Sequence, residues 1–254
     1  CDVNDWDCVR STSYIYTNAP ISDAQLATFQ AQGHEFVVHI NTGCANFTPA
    51  SLANDYATQI PASLAQFPSL NPQRTQRTHC IAFSDWSSQP TVQLQNDMRL
   101  DVNYYYWPPE WIQNRPGMFT GSGMPMRFAD LDGTIIDVYQ ATTQMTDESG
   151  QTFPFNIDTL LGNALGTMGY YGVFTANMHT DGGSNAYDGA IAIVNSAQSR
   201  GVPVVSAVQM LDWLDGRNNS AFENIVWANN KLSFEITSPF GTRADWLQAL
   251  APVQ

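Results

Sequence analysis

The sequence predicts an α/β protein in which strands and helices alternate around a parallel sheet. Short runs of β-branched and aromatic residues recur along the chain, and stretches with helical patterning separate them. This alternation is typical of βα units. The 254 residues are also enough to bury a full core, so we expect a single domain spanning residues 1–254.

The first part of the chain follows this rhythm. Residues 11–16 predict a strand, and Ser22 predicts the N-cap of a helix that Gly33 ends. Residues 35–40 predict the second strand. The elements predicted next are a helix at about 48–63 that Pro61 bends or restarts, strands at 80–83 and 100–107, and a helix at 91–98.

The second part begins with a long loop, since residues 110–126 are rich in Gly and Pro. The alternating residues 225–237 predict an antiparallel hairpin that turns at Asn229 and Asn230. The elements predicted between them are strands at 126–128, 134–140, 172–178 and 202–207, and helices at 155–168 and 187–200.

Composition excludes several kinds of partner. The chain has 10 Lys and Arg residues against 23 Asp and Glu residues, a formal net charge of −13, which disfavours nucleic acid and anionic membranes. Apolar residues make up 43% of the chain, which argues against disorder. Its apolar runs are too short to span a bilayer, so we expect no membrane insertion.

The four cysteines predict two disulfides. Their spacing matches no CxxC motif, and three pairings are possible. Cys1 and Cys8 are able to close a small loop, and Cys44 meets Cys80 if their loops lie at the same end of the fold. This predicts a secreted or cell-surface protein, in which the abrupt start at Cys1 suggests a piece of a longer export product. The alternative is four reduced thiols in a cytosolic protein.

Three of the four histidines fall near the ends of predicted strands, where α/β proteins build their active sites. Because side chains alternate along a strand, His34 and His39 face opposite sides. His39 stands at the carboxyl end and is the better candidate ligand. For each histidine, a purely structural imidazole is the alternative.

Several segments carry a family resemblance. The tripeptide Gly-His-Glu at 33–35 precedes a strand ending in His39, and the strand at 11–16 precedes both. Asn-Met-His at 177–179 is followed by a helix and by Gly-Val-Pro-Val-Val-Ser at 201–206. In this order the segments resemble the polysaccharide deacetylases, the NodB-homology or carbohydrate esterase family 4 group.

The resemblance covers about residues 8–215 and implies a distorted (β/α) barrel, with the hairpin as a C-terminal appendage. It also implies a divalent metal, usually zinc, held by one aspartate and two histidines. In that family an aspartate takes a proton from water and a histidine protonates the leaving amine. The resemblance assigns His39 as a metal ligand and His179 as the general acid.

The remaining family positions have substitutes in this chain. Asp5 and Asp7 stand nearest to the family's paired-aspartate motif, Asp5 as base and Asp7 as metal ligand; the alternative is a solvated acidic terminus. His79 takes the place of the missing second histidine, and Arg77 that of an orienting arginine. The alternative for His79 is a structural histidine beside a disulfide.

Aromatic side chains predict a sugar-binding groove. Trp86, Trp107 and Trp111 flank the predicted mouth and are suited to stacking on pyranose rings. The alternative is that aromatic residues of this region fill the core.

Three functions follow from these observations. The first is metal-dependent deacetylation of an acetylated polysaccharide by a carbohydrate esterase. The second is a catalytically inactive, deacetylase-like module that binds carbohydrate. The third is a barrel glycoside hydrolase with paired carboxylates such as Asp137 and Glu148. Asp101 and Asp147 are weaker candidates for the mouth.

Overall fold

The computed structural model describes residues 1–239 except Asn4, Ile81 and residues 104–121. The chain divides into two compact units, Cys1–Ala207 and Val208–Gln254. The first unit holds the alternating strands and helices, and the second holds the C-terminal hairpin. A single domain over residues 1–254 stays a prediction.

Strands and helices alternate from the start of the first unit. Ser22 and Thr48 each form a capping box with the residue three positions on, and so begin the first two helices. The second helix continues through Pro61 rather than restarting there. In chain order the elements are β1 (Thr12–Ile15), α1 (Asp23–Ala31), β2 (Glu35–Val38), α2 (Pro49–Gln66), β3 (Thr75–Gln76), α3 (Ser88–Gln95) and β4 (Leu100–Asp101).

In the rest of the chain, an antiparallel pair of strands comes first, and strands then alternate with helices again. They are β5 (Met126–Ala129), β6 (Ile135–Gln140), β7 (Thr143–Thr146), α4 (Phe155–Leu165), β8 (Thr175–Asn177), α5 (Ser184–Gln198), α6 (Ala207–Asn218), β9 (Ala221–Ala228) and β10 (Lys231–Thr237). Most match the predicted elements within a few residues.

The described strands form parallel ladders, which confirms the predicted α/β class. β1 pairs with β2, and β7 pairs with β8, both in parallel. A third ladder has the order β3-β4-β6-β5, in which only the β5–β6 pair is antiparallel. The carboxyl ends of β1 and β2 therefore share one edge, and those of β7 and β8 share another.

Two strand predictions were wrong, and one strand was not predicted. The strand expected at 80–83 lies earlier, at β3, because Cys80 has φ +63 and this left-handed conformation cannot continue a strand. β7 was missed because it reads as polar, yet all its residues are buried. No ladder forms at 202–206 among the described residues; there the backbone N–H of Arg10 donates to Val204 O at 2.9 Å.

Apolar side chains from the early helices pack against β2. Leu26 from α1 and Leu52 and Tyr56 from α2 are fully buried with Val38 and Ile40. A second cluster joins Met145 of β7 to α4 and α5 through Ile157, Leu160, Leu161 and Ala197. These clusters hold β2 and β7 in place, and both strands lead into candidate site residues.

The second unit contains the predicted hairpin. β9 and β10 are antiparallel, and Asn229 and Asn230 turn between them with φ of 52° and 57°, as a type I′ turn requires. A bulge in β9 at Asn224 and Ile225 shifts the register. Through this shift six apolar side chains share one face: Phe222, Ile225, Trp227, Leu232, Phe234 and Ile236.

Candidate active site

The candidate site lies where the parallel strands end. Tyr16 follows β1, His39 follows β2, and His79 follows β3 by three residues. Their rings are in contact, with centroids 5.0 Å apart for Tyr16 and His39 and 5.3 Å for His39 and His79. The backbone N–H of His79 donates to Ile40 O at 2.7 Å, which ties the two segments together. The structure thus brings together two of the predicted histidines.

His39 is buried and fixed in one tautomer. Its Nδ1–H donates to the carbonyl oxygen of Arg77 at 2.8 Å, since a carbonyl only accepts. Nε2 then carries the lone pair and lies 3.3 Å from Nη1 of Arg77. Burial, aided by the Arg77 charge, lowers the pKa of His39 to about 3. The ring is therefore neutral at physiological pH.

His79 is partly exposed beside a disulfide. The Cys44–Cys80 bond joins the segments that follow β2 and β3, and the Cys1–Cys8 bond closes the N-terminal loop, so the predicted disulfides are confirmed. Partial burial, followed by the charge of Arg77, lowers the pKa of His79. The charge of His179 also lowers this pKa, and the charge of Glu148 raises it.

A histidine–carboxylate pair lies at the carboxyl ends of β7 and β8. Asp147 follows β7 and His179 follows β8, and Nδ1 of His179 lies 3.0 Å from Oδ1 of Asp147. The backbone N–H of His179 donates to the same oxygen at 3.1 Å. Asp147 is nearly buried, whereas the imidazole is about one-third exposed. Nε2 of His179 is 3.9 Å from Oε1 of Glu148. This arrangement leaves Nε2 able to accept or deliver a proton.

Gly182 packs tightly against this pair. A Cβ at this position would lie 2.8 Å from Oδ2 of Asp147 and 3.1 Å from Cβ of His179. Only glycine therefore fits without displacing the pair.

Asp5 and Asp7 lie at the other end of β1. Both are in the N-terminal loop that precedes this strand, where the backbone N–H of Asp7 donates to Oδ1 of Asp5 at 3.0 Å. Since β1 and β2 are parallel, residues that precede β1 lie at the edge opposite to His39. The structure does not bring these two aspartates to the histidines.

Two of the three predicted metal ligands, His39 and His79, lie at this edge of the sheet. Within the described ranges, three ligand atoms lie within 4.8 Å of one another only in Cys44–His79–Cys80 and Cys1–Asp5–Cys8, and each group contains a disulfide. His39 and His79 are both neutral nitrogen donors. The Nδ1–H bond of His39 to a carbonyl is the outer contact typical of metal-bound histidines. His39 and His79 are the predicted metal ligands that lie at this edge, and Nε2 of His39 faces the guanidinium of Arg77; Asp7 lies elsewhere.

Arg77 orients a histidine at this edge. It is buried, and it contacts both ring nitrogens of His39, one through its backbone carbonyl and one through its guanidinium. Sequence reasoning identified the residue but not its partner.

Of the three tryptophans predicted to bind sugar, Trp86 is the one that the structure describes. Trp86 is 58% exposed, and its Nε1–H donates to Ala129 O at 2.5 Å. Trp107 and Trp111 lie outside the described residues.

The carboxylates considered as alternatives have other contacts. Asp137 is held by Arg99 and Arg127, and its pKa is lowered mainly by the hydrogen bond from Arg99, which is the reverse of what a general acid needs. Asp101 is fully buried and accepts hydrogen bonds from Gln93 and Asn103. Burial raises its pKa to about 6.

Sequence reasoning gave too little weight to two residues. Tyr16 was read only as part of a strand, and Asp147 only as one of many acidic loop residues. The signal for Asp147 was its position after a strand, and that strand, β7, was not predicted.

No protein-family model matches the chain, and no curated protein or solved structure does so either. None of the described helices is both long and apolar enough to cross a membrane.

Proposed function

We propose that this protein is a hydrolase that removes acetyl groups from a polysaccharide, as a metal-dependent carbohydrate esterase does. The observation that carries this proposal is the Asp147–His179 pair, which lies at the carboxyl ends of the parallel strands β7 and β8. A carboxylate-supported imidazole is suited to the proton transfers of acyl hydrolysis.

Within this proposal each residue has a defined role. Asp147 holds the proton of His179 on Nδ1, so Nε2 is the atom that exchanges a proton with water or with the leaving group. Arg77 holds His39 in one orientation. The guanidinium of Arg77 also puts a fixed positive charge 3.3 Å from Nε2 of His39, and this charge favours negative charge developing on the substrate.

We further propose that His39 and His79 hold a divalent metal, with zinc the expected ion. Such an ion would lower the pKa of a bound water and polarise the acetyl carbonyl. Because Nη1 of Arg77 lies 3.3 Å from Nε2 of His39, the guanidinium must turn away from this nitrogen before His39 binds a metal.

The finer fold and location are part of the same proposal. The short parallel ladders are segments of a distorted (β/α) barrel, and the protein works in a secreted or cell-surface setting. The two disulfides support an oxidising compartment.

The test measures acetate release from chitin oligosaccharides and from acetylated xylan, with the wild type supplied with zinc. We expect His179→Ala to lose activity by on the order of 10²–10⁴-fold. His34→Ala is the matched control, because His34 contacts Ser11 at the opposite edge of β1 and β2. Activity equal in both variants, or no release by the wild type, would contradict the proposal.

Metal content is measured on the same preparations by elemental analysis. We expect His39→Ala and His79→Ala to lose the ion, and Asp7→Ala to keep it because Asp7 lies at the other edge. Loss of the ion from Asp7→Ala alone would show that the N-terminal loop supplies the ligand.

A further inference from the structure

A cleft opens beside His79 on the side of β1 and β2. Its volume is about 780 Å³. Tyr16 and His79 form the wall nearest the candidate active site, and residues that follow β1 and β2 form the rest. Because the rings of Tyr16 and His79 contact His39, a molecule in the cleft lies next to the two proposed metal ligands.

The lining has hydrogen-bonding groups that the protein does not use. Within the described part of the chain, the side-chain amide of Asn18 and the hydroxyls of Thr17 and Tyr16 have no partner. Asn41 uses its Oδ1 to accept from Gly43 N at 2.7 Å, which leaves its NH₂ group unused. These groups are able to donate to and accept from a ligand rich in hydroxyl and amide groups.

Other contacts keep the cleft in shape. Gln59 accepts from the backbone N–H of Asn41 and donates to its carbonyl, both at 2.8 Å. The Cys44–Cys80 disulfide fixes the loop that carries Gly43. The cleft is therefore held by helix α2 and by a covalent bond, not only by loop contacts.

The chemistry of the lining selects a neutral ligand. Its described residues carry amide, hydroxyl, phenol and imidazole groups, and none is a carboxylate, lysine or arginine. In a chain of net charge −13, such a surface does not attract a polyanion. The phenol ring of Tyr16 offers a face for the apolar side of a sugar ring.

We propose that this cleft binds neutral acetylated sugar units adjacent to the unit being hydrolysed, with Asn18 and Tyr16 as binding residues. This rests on the proposed function for the identity of the substrate. The proposal that the cleft binds neutral sugars excludes polyuronates and sulfated glycans as its ligands.

The experiment measures the binding of three tetrasaccharides to the His179→Ala protein by calorimetry: an N-acetylglucosamine tetramer, an acetylated xylose tetramer and a galacturonate tetramer. We expect one of the neutral tetramers to bind and the galacturonate tetramer not to bind. Adding Asn18→Ala or Tyr16→Phe weakens the binding by on the order of 2- to 10-fold, the effect of one lost hydrogen bond.

Gln95→Ala is the matched control, since this exposed amide lines a second, smaller cleft next to Asp130. The proposal is overturned if Asn18→Ala and Tyr16→Phe leave the binding unchanged. It is also overturned if the protein prefers the galacturonate tetramer, or if neither neutral tetramer binds. Asn18-dependent binding by a protein that releases no acetate would support the cleft and reject the hydrolase.

Discussion

His39 illustrates how local contacts determine the chemistry of one side chain. The carbonyl oxygen of Arg77 fixes the proton on Nδ1, and burial keeps the ring neutral. A neutral imidazole whose Nε2 carries a lone pair accepts a hydrogen bond, here from Nη1 of Arg77, or binds a metal once that guanidinium turns away. His179 differs because its Nδ1 lies 3.0 Å from a carboxylate oxygen of Asp147, which orients the ring and leaves Nε2 for proton exchange. The two histidines are therefore suited to different tasks.

Asp147→Asn tests the role of the carboxylate. An amide that presents its NH₂ group to Nδ1 selects the wrong tautomer of His179, so we expect acetate release to fall by on the order of 10²–10⁴-fold. Asp188→Asn, an exposed acid on α5, is the control for the loss of one charge. Equal rates in the two variants would exclude the pair from the reaction.

Asp101 makes stability depend on pH. Burial raises its pKa from 3.8 to about 6, so the folded protein binds a proton that the unfolded chain releases. The stabilisation is complete below pH 4 and is lost as the pH rises to about 6, a change of about 3 kcal/mol at most. Urea unfolding at pH 4, 5, 6 and 7 measures this change in the free energy of unfolding.

Asp101→Asn is the comparison for that series. The asparagine does not titrate, so the stability difference between the two proteins should change between pH 4 and 6 and stay constant above. Parallel stability curves across the whole range would show that Asp101 titrates normally.

At the scale of elements, capping groups and a bulge place the side chains. Thr48 begins α2, which carries Tyr56 into the core and Gln59 to the cleft. In the second unit, the extra residue at Asn224 puts Phe222 and Ile225 on one face of the hairpin. Without the bulge, their odd spacing would place them on opposite faces.

Thr48→Ala measures the contribution of the α2 cap. It removes the hydrogen bond from Ser51 N to Oγ1, which is 3.1 Å long, and we expect a loss of about 1 kcal/mol in the free energy of unfolding. Thr58→Ala in the middle of the same helix is the control, since its exposed hydroxyl bonds back to carbonyl oxygens of the same helix, those of Asn54 and Asp55. A loss of equal size in both variants would argue against capping.

At the scale of the molecule, a disulfide connects the segments that carry the candidate site. Cys44 and Cys80 are 36 residues apart, and Cys1 and Cys8 are 7 apart. Loop entropy alone predicts a stabilisation of about 4 kcal/mol for the longer loop and about 2 kcal/mol for the shorter one.

Replacing each cysteine pair by serine tests this difference. We expect Cys44→Ser with Cys80→Ser to lower both stability and acetate release, because His79 stands next to Cys80. Cys1→Ser with Cys8→Ser should lower stability less and leave acetate release unchanged. A larger loss of thermal stability from removing Cys1–Cys8 than from removing Cys44–Cys80 would show that loop length does not determine how much each disulfide stabilises the protein.

The sequence by itself determined the α/β class, the first two strands and helices and the hairpin with its turn. These depend on local patterns: the strand runs, the caps at Ser22 and Thr48, and the paired asparagines. It also singled out His39, His79 and His179 as candidate site residues, because each lies near the end of a predicted strand.

Only the tertiary structure decided which of these residues meet. It joined His179 to Asp147 across β7 and β8, and it placed Asp5 and Asp7 at the edge opposite to His39. Such contacts depend on strand order and direction, which a local pattern does not contain. β7 was missed for the same reason, since its polar side chains are buried by packing with distant segments. The sequence contains the chemical groups, and the pairing of strands brings them together.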